Sequence, residues 1–217
     1  MPGLEKHEAP GMEAHAADQD RVLASPWGGG QSPFAVAWPK LMMWLFLVSD
    51  TLTFAGLLSG YGVMRLSLGD WPRQADIFNI WLVGTMTFIL ICSSATMAVA
   101  VAAARAGDRR MVMRYLLLTI LGGLFFLGAQ AYEWTNFIHE GARLFTNPWG
   151  IPQFSATFFI ITGFHGGHVT GGVIYLSITA LRWSRRKIQP LSVEIAGLYW
   201  HFVDLVWVFI FTLLYLI

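Results

Sequence analysis

The residues of this chain that could do chemistry sit inside its most apolar stretches. Residues 163–172 read GFHGGHVTGG, with His165 and His168 three apart. His201 and Asp204 stand three apart in GLYWHFVDLVW, Asp50 interrupts MMWLFLVSDTLTFAGLL, and Glu133 interrupts LGAQAYEWTNF. Residues three apart share a helix face. A histidine pair could ligate a metal, but a catalytic zinc site takes three protein ligands and an open position. No carboxylate adjoins the pair and no HExxH is present. Histidines on facing helices, such as His165 and His201, could hold a haem, though nothing in the spacing demands it. Asp50, Glu133 and Asp204 could form a proton or ion relay, because ionisable groups within a membrane are costly and mark function by default. The plainer alternative is hydrogen bonding between helices, worth about 0.6–2 kcal/mol per bond; a buried group left unpaired would cost more. No glycine-rich phosphate loop, nucleophile elbow or Cys-x-x-Cys pair is present.

The elements that must position these residues are long apolar runs. Of the 217 residues, 55% are hydrophobic and 12% charged, against about 25% charged in a soluble domain. A membrane-crossing helix needs roughly 20 apolar residues. Five stretches meet this: about Leu41–Met64, Ile77–Ala104, Tyr115–Ile138, Phe154–Leu181 and Val193–Ile217. Pro39 and Lys40, then GDWPRQAD, RAGDRR, TNPWGIPQ and RWSRRKIQP, bound them. The expected fold is all-α, a transmembrane bundle of five helices. Eleven Lys and Arg residues precede the first span or lie in and beside the second–third and fourth–fifth loops, while Arg65, Arg73 and Arg143 lie on the other side. By the positive-inside rule the N-terminus is expected in the cytoplasm and the C-terminus outside. Trp38, Trp71, Trp149, Trp183 and Tyr215, near the span ends, fit an aromatic belt.

Asp50 lies ten residues into its span, about 15 Å deep and so near the midplane. His165, His168, His201 and Asp204 fall at a similar depth, and Glu133 lies nearer the outside. Gly56 and Gly60, and again Gly163, Gly167 and Gly171, recur every fourth residue, a spacing that lets helix backbones approach closely. Glu194, just after Ser192, suits an acid near a capped helix start.

The net charge of +1 gives no reason to expect a nucleic-acid partner. The single cysteine, Cys92, cannot form an intrachain disulfide or a two-cysteine copper site, and reads as a buried small hydrophobe. Residues 1–38 are acidic and mixed with Ala, Gly, Pro and His. They lack the apolar core of a secretory signal and are expected to be a disordered cytoplasmic tail, with residues 39–217 as the membrane domain. His7 and His15 in that tail could bind metal weakly.

Taken in order, GFHGGHVTGG, GLYWHFVDLVW, MMWLFLVSDTLTFAGLL, ILICSSATMAVAVAAARAGDRR and LGAQAYEWTNF resemble subunit III of the haem-copper terminal oxidases, the family of cytochrome c and quinol oxidase subunits III. The resemblance covers about residues 39–217. It implies a five-span subunit of the bacterial plasma membrane with no redox centre of its own. It further implies packing against the catalytic subunit I, which carries the haems and copper, in a complex that includes subunit II, reduces dioxygen to water and pumps protons. Structural phospholipids between the helices, support of proton entry into subunit I and protection of the oxidase during turnover are also implied. Asp50 would take the place of the family's buried, carbodiimide-reactive carboxylate, a glutamate in many relatives. Glu133, His165, His168, His201 and Asp204 would serve packing and hydrogen bonding linked to protons or lipid, with no catalytic residue and no metal ligand. The alternatives are a subunit-III-like companion of a nitric oxide reductase and a stand-alone haem-binding or proton-translocating protein.

Overall fold

The computed structural model describes residues 36–69 and 71–217. Most of the expected N-terminal tail, with His7 and His15, lies outside the described residues. The chain divides into two compact units, one ending at Trp44 and the other comprising Leu45–Ile217.

Among the described residues the elements are helical. They are α1 (Trp38–Ser67), the single turn α2 (Gln74–Ile77), α3 (Ile80–Arg105), α4 (Arg109–His139), α5 (Pro152–Ser184) and α6 (Pro190–Ile210), which continues as a π-helical segment, Phe211–Leu216. Helices satisfy their backbone groups internally, which a membrane interior requires. Turn chemistry separates them. Asn79 caps α3, its side chain accepting from Leu82 N at 3.2 Å. Asp108 caps α4, accepting from Arg110 N and Met111 N. Prolines open α5 and α6, where a missing N–H costs nothing. Gly107 and Gly141 follow α3 and α4 with positive φ, and the bonds Asp108 N to Ala103 O and Ala142 N to Phe137 O close those helix ends.

The expected five-span bundle is corrected here. Among the described residues, four helices are long and apolar enough to cross a membrane: α1, α3, α4 and α6 with its π extension. Helix α5 has 33 residues and the length to cross, but not the apolarity. GFHGGHVTGG and several hydroxyls dilute it, and Ser155, Thr157, Thr162, His165 and Thr179 all turn to its buried face. A helix that keeps its polar groups inward does not need an apolar sequence throughout. Two of the basic residues behind the expected orientation, Arg105 and Arg109, also make packing contacts. Arg105 pairs with Glu194 at 3.1 Å. Arg109 donates to the Trp183 carbonyl at 2.6 Å and lies 5.3 Å from the centre of that indole. Together these contacts tie the α3–α4 corner to the α5–α6 corner.

Within the second unit, α3, α4, α5 and α6 form a closed ring of neighbours, α3 against α4 and α6, α5 against α4 and α6. Its interior holds Met86, Leu90, Met97, Leu116, Phe126, Phe158, Trp200 and Trp207. From Leu45 onward α1 lies outside this ring. Only 17% of its most apolar stretch is buried, against 28–44% for α3, α4 and α6, so its attachment rests on a few side chains. Two local expectations also change. Cys92 is exposed rather than buried. Helix α6 begins at Pro190 after Gln189, so Ser192 is not its cap, and Glu194 reaches across to Arg105.

Candidate functional site

Asp50 reaches the ring because α1 buries Leu47, Asp50, Phe54 and Tyr61, spaced to lie along one helix face. Its Oδ2 lies 3.1 Å from His168 Nε2 on α5. The two groups meet as a contact pair, without the alignment of a hydrogen bond. His168 Nδ1 lies 2.9 Å from the Phe164 carbonyl, one turn back. A carbonyl only accepts, so Nδ1 carries hydrogen, and the Nε2 edge is left to face Asp50. A proton on Nε2 makes the two an ion pair. Phe54 and Phe164 flank the His168 ring at 5.2 and 4.7 Å, and Tyr199 donates to the His168 carbonyl at 3.0 Å. Aromatic walls and a single carboxylate thus join α1, α5 and α6.

His165 lies one turn from this pair and points the other way. It is fully buried against Phe54, Phe126 and Trp207, with ring centres 6.3, 5.6 and 5.1 Å away. Neither ring nitrogen finds a hydrogen-bond partner among the described residues. His201 faces α3 instead, its Nδ1 2.6 Å from Ser94 Oγ. Ser94 also faces the buried Asp204. Glu133 belongs to a third group, accepting at Oε2 from Gln130 Nε2 at 3.0 Å and from the Tyr215 hydroxyl at 2.9 Å. The side chains expected at one depth therefore fall into separate contact groups. His165 and His201 have different surroundings, and among the described residues no three His, Cys, Asp or Glu side chains form a metal-binding group.

Hydroxyls and indoles supply most of the bonds between helices. Trp200 Nε1 donates to Ser93 Oγ at 3.1 Å, Trp207 Nε1 to Thr87 Oγ1 at 2.8 Å and Trp134 Nε1 to Thr162 Oγ1 at 3.1 Å. Thr96 and Thr119 meet at 2.8 Å. Sequence reasoning passed over these residues, because a serine or threonine inside an apolar helix carries no signal of its own. The tryptophans did signal: Trp200 and Trp207 share the motif with His201 and Asp204.

The glycines divide in the same way. A Cβ on Gly163 would lie 3.0 Å from the Trp134 ring, and one on Gly171 3.7 Å from the Tyr199 hydroxyl oxygen. At Gly56, Gly60 and Gly167 it would meet nothing within 4 Å in this chain. The closest approaches occur at glycines outside the four-residue stripes. At Gly122 a Cβ would come within 2.7 Å of Ser93 Cβ, at Gly123 within 2.6 Å of Trp200 and at Gly197 within 2.9 Å of Val101.

Comparison with known proteins places this arrangement. The family model of cytochrome c oxidase subunit III matches residues 19–217. The chain is 36% identical over 177 residues to a probable cytochrome c oxidase subunit 3 of Nocardia farcinica, covering 80% of this chain and 85% of the relative. It is 34% identical over 179 residues to quinol oxidase subunit 3 of Bacillus subtilis, covering 81% and 85%. It is 32% identical over 179 residues to cytochrome c oxidase subunit 3 of Bacillus sp. PS3, covering 81% and 84%. The match takes in every described helix and every polar group set out above, and the chain belongs to the cytochrome c oxidase subunit III family.

Proposed function

We infer that this chain is the accessory subunit III of a haem-copper oxidase, a multi-pass protein of the bacterial plasma membrane that works within a complex reducing dioxygen to water. The observation that carries this is the family match over residues 19–217. In this reading the chain holds no redox centre and packs against subunit I, with subunit II in the same assembly. Its polar groups serve the protein scaffold, as their partners suggest: indoles, hydroxyls, an amide and a backbone carbonyl. Structural phospholipid is part of the proposal. A groove of about 250 Å³ between α1 and α6, lined by Phe54, Leu58, Phe202, Leu205 and Phe209 among others, has the apolar walls an acyl chain needs. Support of proton uptake by subunit I is the remaining element, with Asp50 as the carboxylate nearest in kind to the family's reactive residue.

The test is purification of the oxidase with and without this chain. Loss of the chain is expected to leave the haems in place while lowering the initial rate or shortening the active lifetime during turnover. Unchanged assembly, rate and lifetime would remove the assignment. Identifying the co-purifying subunit II, and whether it carries a two-copper site, decides between cytochrome c and quinol as donor.

A further inference from the structure

Glu133 is a buried carboxyl bonded through one oxygen only. It is 6% exposed, and both of its protein hydrogen bonds go to one oxygen, Oε2. Oε1 is buried and receives no bond from any described group. An unpaired buried carboxyl oxygen is costly, and among the described residues no cationic side chain pairs with it to offset the cost. The hydrogen bond from Tyr215 depends on an unusual element. The π-helical segment Phe211–Leu216, closed by Ile217 N to Thr212 O at 3.1 Å, carries the Tyr215 hydroxyl to α4. π-Helical turns are rare and recur at functional sites.

Glu133 also lines a cavity of about 80 Å³. Phe78 and Phe137 form apolar walls of it, stacked at 5.4 Å, with Phe78 4.8 Å from the Tyr215 ring. Its other polar lining residues are Asn79, Asn136 and Glu140, all exposed. Asn79 uses its side-chain oxygen to cap α3, which leaves its amide N–H groups as donors. The cavity has room for two or three waters at about 30 Å³ each, and a bound water needs two to four polar partners. The four polar residues supply them. The titratable groups beside Glu133 are Tyr215, across its hydrogen bond, and Glu140, across the cavity; the α2–α3 corner contributes Ile77, Phe78, Asn79 and Leu82.

We propose that this cavity is a water-binding site through which the Glu133 carboxyl exchanges protons with the aqueous phase at the C-terminal end of α4. A hydrated proton entering past Asn136 and Glu140 is passed by water to the Glu133 carboxylate, leaving the carboxylic acid and a water; the reverse transfer returns it. Oε2 stays held by Gln130 and Tyr215, so the side chain remains in place in both states. Neither Asp50 nor His168 lines this cavity.

The test is infrared spectroscopy of the membrane-embedded complex. E133Q assigns the Glu133 carboxyl bands by difference; should E133Q not assemble, E133D assigns them by their displacement. Transfer to D2O is expected to shift the assigned band within minutes. N136L, which replaces a polar lining residue by an apolar one, is expected to slow that shift about tenfold, equivalent to a barrier higher by ~1.4 kcal/mol. Three results would each overturn the proposal: a band that stays unshifted for hours, an N136L variant that exchanges at the parent rate, or a band that responds to sodium or potassium but not to choline, which would make the occupant a cation. The readout is a carboxyl of this chain, so it is independent of the oxidase assignment.

Discussion

Asp50 of α1 and His168 of α5 form a close charged contact at 3.1 Å. Deleting one partner leaves the other facing a largely apolar wall of Phe54 and Phe164. Asp50→Leu is therefore expected to destabilise the subunit by about 1–3 kcal/mol, the usual cost of orphaning a buried polar group. The double variant D50L/H168F is expected to recover part of that loss, with a coupling of roughly 0.5–3 kcal/mol for residues in contact. Thermal unfolding of the four proteins of this cycle measures the coupling, and additive losses would show that the pair contributes nothing. The acidic half of the pair was plain in the sequence, since an acid in MMWLFLVSDTLTFAGLL stands out from its apolar run. Its partner was not: both histidines of GFHGGHVTGG fall at a depth similar to Asp50, and only the rotation of α5 turns His168 to Asp50 and His165 to Trp207.

Between elements, the decisive contacts are indoles set against small residues. Trp200 lies against Gly123 and Gly172 and donates to Ser93. Gly123→Ala would place a methyl 2.6 Å from Trp200 and 2.7 Å from Val173, and overpacking of this kind costs about 1–3 kcal/mol. Gly56→Ala meets nothing within 4 Å in this chain; it is expected to leave the isolated subunit's melting temperature unchanged. If the Gly56 and Gly60 stripe seats a helix of another subunit, that same variant will loosen the assembled oxidase while G123A weakens both. Trp200→Phe keeps most of the packing and removes the N–H, for an expected loss of about 0.6–2 kcal/mol. Helix positions were legible from apolar runs and from their prolines, glycines and charges. Which small residues touch was not, because glycine spacing marks a face of a helix without saying what lies opposite. The stripes at residues 56–60 and 163–171 looked stronger than the isolated Gly197, yet it is Gly197 that has Val101 against it.

At the scale of the second unit, four helices close on one another, and α1 from Leu45 onward meets them through side chains such as Asp50, Phe54 and Tyr61. The length and order of the helices follow from sequence, but this difference in attachment does not. All five runs are similarly long, and it is the inward polar face of α5 that makes the least apolar run a full member of the ring. A weakly attached helix opens locally before the rest. Backbone amides of residues 45–67 are therefore expected to exchange with deuterium faster than those of the α3, α4 and α6 centres when the purified subunit is held in detergent. Phe54→Ala removes a ring that touches Phe164, His165 and His168 at once, and it should speed exchange in α1 while leaving the centre of α4 unaffected. Equal acceleration in both helices would mean that α1 is bound into the same cooperative unit as the ring, and that the few contacts at Asp50, Phe54 and Tyr61 hold it more firmly than its exposure suggests.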